Sequence, residues 1–142
     1  EYRYRNPKLG DHSLVVIISQ SGETADSLAA LRLTKERGVP TLGIINVVGS
    51  SIAREADYVM YTLAGPEIAV ATTKAYSTQL INCYLLAIAT AVARGEMEQE
   101  TCDKMLAQMQ LLPEKIEKIL ADKGRIQWFA SKFANARDIF FI

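Results

Sequence analysis

Leu14-Val15-Val16-Ile17-Ile18-Ser19-Gln20-Ser21-Gly22-Glu23-Thr24-Ala25-Asp26-Ser27-Leu28 is the stretch whose reading decides the fold. An apolar, mostly β-branched run passes through hydroxyl residues and a glycine into a segment with helical spacing. Residues 14–18 lack the alternation of a half-exposed strand, so they read as a central strand covered on both faces. Ser19 to Gly22 break it. Ala25, Leu28, Ala29 and Leu31 then fall at helical spacing, with Arg32, Lys35 and Arg37 toward the far end. Those cations suit a helix C-terminus, and Gly38 and Pro40 supply the stop.

Working outward, residues 42–47 read as a second strand, 51–55 as a short helical turn and 58–61 as a third strand. Strands separated by helical patterns in this order predict βαβ units, a parallel sheet and the α/β class. Gly65-Pro66 marks a loop before an uncharged helical stretch, 75–93, which ends at Arg94-Gly95. From residue 97 to 122 one helical face carries Met105, Leu106, Met109, Leu112, Ile116, Ile119 and Leu120, and Pro113 is expected to bend or divide it. Gly124 is expected to separate this from a helix bearing Trp128, Phe129 and Phe133. Ile139-Phe140-Phe141-Ile142 reads as one more buried strand.

With 142 residues, 49% of them hydrophobic, the chain suits one domain with a sizeable core. Lys+Arg and Asp+Glu balance at 16 each, which argues against the broad basic field of a non-specific nucleic-acid binder. His12 is the single histidine and no Cys-x-x-Cys occurs, so no metal site is expected. Cys83 and Cys102 read as free, partly buried thiols of a reducing compartment. The opening Glu1-Tyr2-Arg3-Tyr4-Arg5 is not a signal peptide, and the lack of an initiator Met suggests a piece of a longer chain. A cytoplasmic setting is the expectation. The 75–93 stretch approaches the length of a membrane span, but Ser77, Thr78, Gln79, Asn82 and Thr90 lie inside it. It reads instead as a central or interface helix.

Ser19 to Thr24 sit where a parallel strand hands over to a helix, the edge at which open α/β folds bind ligands. The first N–H groups of that helix lack internal partners and its dipole favours an anion. The hydroxyls of Ser19, Ser21 and Thr24 add donors, and Gly22 permits close backbone approach. Ordinary capping by Ser21, with Glu23 in the first turn, would look similar but requires neither Ser19 nor Gln20. A phosphate cradle is the preferred reading. The second polar cluster, Glu67-Ile68-Ala69-Val70-Ala71-Thr72-Thr73-Lys74, either caps the uncharged helix or lines the same sheet edge; the pattern leaves both open. Other motifs fail. Gly43 to Gly49 has no Lys for a Walker loop, Gly-x-Gly-x-x-Gly is absent, and Ser19-Gln20-Ser21-Gly22 lacks the first Gly of a nucleophile elbow. His12 would lie near the opposite end of its strand, which removes a Ser-His-Asp triad.

The run from Ile18 to Leu28, together with Glu67 to Tyr76, Gln79 and Asn46-Val47-Val48-Gly49-Ser50-Ser51, resembles the first sugar-isomerase (SIS) domain of the glutamine–fructose-6-phosphate aminotransferase family, the glucosamine-6-phosphate synthases. The Ser-x-Ser-Gly-x-Thr loop alone marks only the wider SIS superfamily; both signatures together narrow it. The resemblance implies a parallel, flavodoxin-like sandwich and an enzyme that makes glucosamine 6-phosphate from fructose 6-phosphate and glutamine. It assigns Ser19, Gln20, Ser21 and Thr24 to the substrate phosphate, and Val70, through its backbone, and Thr72 to the sugar. The family often has Ser where Thr72 stands.

The family's first SIS domain begins earlier, with a strand, a helix and a further phosphate-touching loop. Its catalytic Glu, Lys and His fall in a second SIS domain and tail, and a glutaminase domain precedes both. The resemblance therefore implies a truncated first SIS domain over 1–123, with 124–142 as a linker helix and the first strand of the second. No catalytic residue, cofactor or metal is expected, and the fragment alone should be inactive. Expected partners are fructose 6-phosphate or glucosamine 6-phosphate, the parent's other domains, and a further copy in a homodimer or higher oligomer; nucleic acid and membrane are not. Under-buried sheet edges and an under-buried 75–93 helix favour that self-association. The alternative is the phosphosugar-sensing SIS module of a transcription regulator, which would carry a basic helix-turn-helix that this sequence lacks.

Overall fold

The computed structural model describes residues 2–5, 7–69, 72 and 74–140. It comprises two compact units, Glu1–Ala91 and Val92–Ile142. The first contains α1 (Tyr2–Arg5), β1 (Val15–Ser19), α2 (Ala25–Glu36), β2 (Thr41–Ile45), α3 (Ser51–Glu55), β3 (Tyr58–Tyr61) and most of α4 (Lys74–Ala93). The second contains α5 (Gln99–Gln110), α6 (Leu112–Ala121) and α7 (Lys123–Lys132).

The strands form a parallel sheet in the order β1-β2-β3, with Ser19 opposite Ile45 and Ile45 opposite Tyr61. The α/β class and parallel sheet are as expected. On one face, Ile17, Ile45, Leu31 of α2 and Ile52 of α3 pack as the core, flanked by Val15, Leu28 and Val59. Burying each of these four large aliphatic side chains contributes roughly 1.5–3 kcal/mol. Ion pairs brace the rim. Arg32 donates from Nε and Nη2 to the two oxygens of Glu55, at 2.8 and 2.6 Å. Lys35 donates to the Glu55 carbonyl and to Asp57.

Four expectations are corrected. β1 is not covered on both faces. Among the described residues it is an edge strand, and its outward Val16 and Ile18 are 38% and 46% exposed. The fully buried central strand is β2. A continuous apolar run fits either place, because the neighbour that would cover it is not encoded in the run itself. Second, Ser19 ends β1 rather than opening the loop, since its pairing with Ile45 continues the ladder. Third, Gly124 lies inside α7, and the break falls at Asp122, whose φ of −86° and ψ of 50° leave the helical region. Fourth, Ile139 and Phe140 form no strand; Phe141 and Ile142 lie outside the described residues. Pro113 does divide its stretch, at the start of α6 where a proline costs no helical hydrogen bond.

α1 has no counterpart in the sequence reading. Its Tyr2 hydroxyl lies 2.8 Å from Thr34 Oγ1, and Arg3 pairs with Asp26, so contacts to α2 hold it. The long α4 buries only Ala75, Asn82 and Ile88, the under-burial expected of it. By length and composition it could cross a membrane. Its polar side chains bond within the helix: Thr78 and Thr90 donate to carbonyls one turn back, and Asn82 donates to the Thr78 carbonyl. Cys83 and Cys102 are free thiols, half-buried and buried.

Candidate functional site

The loop leaving β1 is held by its own hydroxyls. Ser19 Oγ, buried, accepts the Gly22 N–H at 3.0 Å, and Ser21 Oγ accepts the Glu23 N–H at 3.2 Å. An oxygen that accepts an amide keeps its own O–H proton to donate elsewhere. Gly22 turns the chain at φ +67°. An added Cβ there would come within 2.1 Å of Ser50 Oγ and 2.7 Å of Ser50 Cβ, so only glycine fits. Thr24 is the N-cap of α2, and its side chain makes no cap hydrogen bond. Ser21 therefore does not serve as the helix cap that ordinary capping would require. The first turn of α2 carries an exposed Thr24 hydroxyl beside N–H groups of the kind that bind anions.

Neighbouring segments pin this loop from below. The Gln20 carbonyl accepts from Asn46 N at 3.2 Å, and the Gly22 carbonyl accepts from Ile52 N at 3.0 Å. Glu23 Oε1 accepts from Ser51 N at 2.7 Å. Hydrogen bonding from Ser51, side chain first and backbone second, holds the Glu23 carboxyl below its usual range.

The second cluster reaches the same edge of the sheet. Asn46, just past β2, accepts from Thr62 Oγ1 and Ala64 N and donates to the Gly65 carbonyl, all at 2.8–2.9 Å. That side chain fixes the turn carrying Leu63, whose φ of +51° is rare outside glycine. Glu67 then accepts from the amides of Ile68 and Ala69 and from the Thr72 hydroxyl. The Thr72 bond, followed by that of Ala69, holds the Glu67 carboxyl below its usual range. Thr72 Oγ1 also accepts from Ala75 N at 3.2 Å, which caps α4. Gln20, Asn46, Val48, Leu63, Pro66 and Glu67 line one cavity of about 560 Å³.

Both readings left open for the second cluster therefore hold, on different residues. Thr72 caps α4, and Glu67 lines the cavity shared with Gln20. Ser19, at the end of β1, is followed directly by Gln20, Ser21 and Thr24 in the loop, and Thr72 bonds Glu67, which lines a cavity with Gln20. Val70 lies outside the described residues. Sequence reasoning missed Asn46 and Glu67 as clamps. The available signal was an amide side chain at a strand end and a carboxylate five residues before a helix-capping hydroxyl. Among the described residues no group of His, Cys, Asp and Glu could hold a metal.

The comparisons bear out the family and the fold. A family signature described as "SIS domain" matches residues 1–89. The chain is 50% identical over all 142 residues to a glutamine–fructose-6-phosphate aminotransferase (isomerizing) of Caldanaerobacter subterraneus subsp. tengcongensis, and 49% identical to that of Clostridium acetobutylicum. In both cases it spans 23% of the relative's length. Among solved structures, the C-terminal domain of glucosamine-fructose-6-phosphate aminotransferase from Francisella tularensis superposes with a TM-score of 0.88 at 35% identity, covering 94% of this chain and 38% of that one. With the signature spanning the whole sheet and its cradle, the chain belongs to the SIS domain family.

Proposed function

We propose that this chain is the phosphate-holding part of an enzyme that makes glucosamine 6-phosphate from fructose 6-phosphate and glutamine. The single observation that carries the reading is the loop from Ser19 to Thr24, whose serine oxygens accept loop amides while the side chain of the helix N-cap makes no cap bond. On this reading the remaining hydroxyl protons and the first amides of α2 take a phosphate ester, and the cavity lined by Gln20 and Glu67 takes the sugar. Ser21 and Thr24 bind the phosphate directly, while Ser19, being buried, shapes the turn, and Gln20 lines the cavity that takes the sugar. Thr72 has donated its proton to Glu67, so it meets a sugar hydroxyl only as an acceptor. The relatives' names support the substrate, and the fraction of their length spanned supports partner domains in a longer parent.

On this reading, residues 1–123 form the first SIS domain and 124–142 lead toward a second. Turnover is assigned to the parts of the longer relatives that this chain does not span, so the chain alone is expected to be inactive. Its exposed β1 edge and outward Val16 and Ile18 favour self-association, read as mass in light scattering. Calorimetric titration with fructose 6-phosphate tests the site. Wild type binds and Ser21→Ala loses about tenfold in affinity, the effect of removing one hydrogen bond to a charged group. Equal binding by both removes the cradle assignment.

A further inference from the structure

Glu23 stands in the cradle with a charge of the wrong sign. A carboxylate one residue from a phosphate-binding turn repels the ligand unless it is drawn away. In this chain it is bonded to the start of α3. Glu23 Oε1 accepts the Ser51 N–H at 2.7 Å, and the adjoining Gly22 carbonyl accepts the Ile52 N–H at 3.0 Å. These are the first two amides of α3, both without partners inside the helix, and the second is one that an N-cap hydroxyl ordinarily satisfies. Ser50 occupies the N-cap, makes no side-chain cap bond, and its Oγ is buried without a hydrogen-bond partner. It is pressed against Gly22, whose added Cβ would meet it at 2.1 Å. The work of capping α3 has passed from its own N-cap to the cradle.

We propose that Glu23 is a positioning residue of the phosphate cradle, its carboxylate tethering the Ser21–Thr24 turn to the N-terminus of α3 and so holding its own charge away from the ligand. This rests on the cradle being a phosphate site. Glu23 acts through the turn and touches no substrate atom. The tether depends on an acceptor oxygen rather than on charge, which separates it from simple electrostatics. Gln keeps an oxygen at the same reach; Ala does not.

The experiment follows the amide resonances of the whole chain by NMR for wild type, E23Q, E23A and S21A, first alone and then with inorganic phosphate and fructose 6-phosphate. Without ligand, the Ser51 amide proton is expected downfield in wild type and E23Q, and upfield in E23A. An unchanged Ser51 resonance in E23A overturns the tether whatever the ligand does. With ligand, E23Q is expected to bind within about twofold of wild type or more tightly, and E23A about tenfold more weakly. Tighter binding by both variants makes Glu23 a plain repulsive charge and overturns the proposal. Equal weakening by both, in step with lost thermal stability, reduces it to a folding role. If S21A binds as wild type does, or if wild type shows no response to a large excess of phosphate, the cradle reading itself falls. If S21A weakens binding and E23A does not, only the tether falls.

Discussion

The sheet unit and the helical unit have similar proportions of apolar residues but are held in different ways. In the first, polar bonds join residues far apart in sequence: Glu23 to Ser51, Arg32 to Glu55, Lys35 to Asp57, Asp57 to Thr41. Leu31, Ile44, Ile45 and Ile52 are fully buried. In the second, the polar bonds are local, such as Gln99 to Asp103, Lys104 to Glu100 and Ser131 to the Trp128 carbonyl. The rings of Phe129 and Phe133 lie 5.1 Å apart, again one turn along one helix. Neither α6 nor α7 buries a residue, and Ile119, Ile126 and Trp128 are more than 60% exposed. Amphipathic spacing is present in both units, yet only where strands supply a partner surface does it become a core. The candidate site sits on the cross-braced unit, where distant segments hold the loop through hydrogen bonds.

The comparison can be broken most easily at its cores. Leu31→Ala is expected to cost about 3 kcal/mol, as a fully buried leucine does, whereas Ile119→Ala should cost less than about 0.5 kcal/mol. Denaturant titration, with hydrogen exchange at the β2 amides to report the sheet unit separately, measures both; equal losses would erase the distinction. Gly22→Ala comes next, at about 2 kcal/mol, from the left-handed backbone and the collision with Ser50. It should also abolish phosphate binding, and an alanine variant as stable as wild type would show that the cradle is not pinned to α3.

The smallest effect tests the braces. The bond from Lys35, then those from the Thr41 hydroxyl and amide, lower the Asp57 pKa from 3.8 to about 2. A carboxyl lowered on folding stabilises above its ordinary value, and that contribution fades as pH falls toward the folded one. Asp57→Asn should therefore melt below wild type at neutral pH, with the gap closing between 3.8 and about 2. Thermal melts across that window check it. A gap that stays constant into acid would assign the loss to packing rather than to the ionised group.

Much of this was legible along the chain. Hydrophobic runs broken by Gly, Pro and hydroxyl residues gave three strands, the helix between the first two and the short α3, because local steric preference and capping are written in neighbouring residues. The loop Ser19 to Thr24 was legible for the same reason, since a strand-to-helix junction rich in hydroxyls is a contiguous feature. Asn46 was not, because its partners lie 16 to 19 residues away and nothing near it marks them. Nor was the double engagement of the Thr72 hydroxyl by Glu67 and Ala75, which a spacing rule cannot separate from a plain cap.

The sequence by itself determined the three strands with the helices between them, the parallel sheet, and a hydroxyl-rich loop at the first strand-to-helix junction. These follow from periodicity and from chain chemistry within a few residues. Only the tertiary structure decided that β2 and not β1 is the buried strand, that Gln20 and Glu67 share one cavity, and that the loop after β1 is bonded to α3 through Glu23. Each of those depends on which distant surfaces meet. Burial and long-range hydrogen bonds belong to pairs of segments, and no single segment carries them.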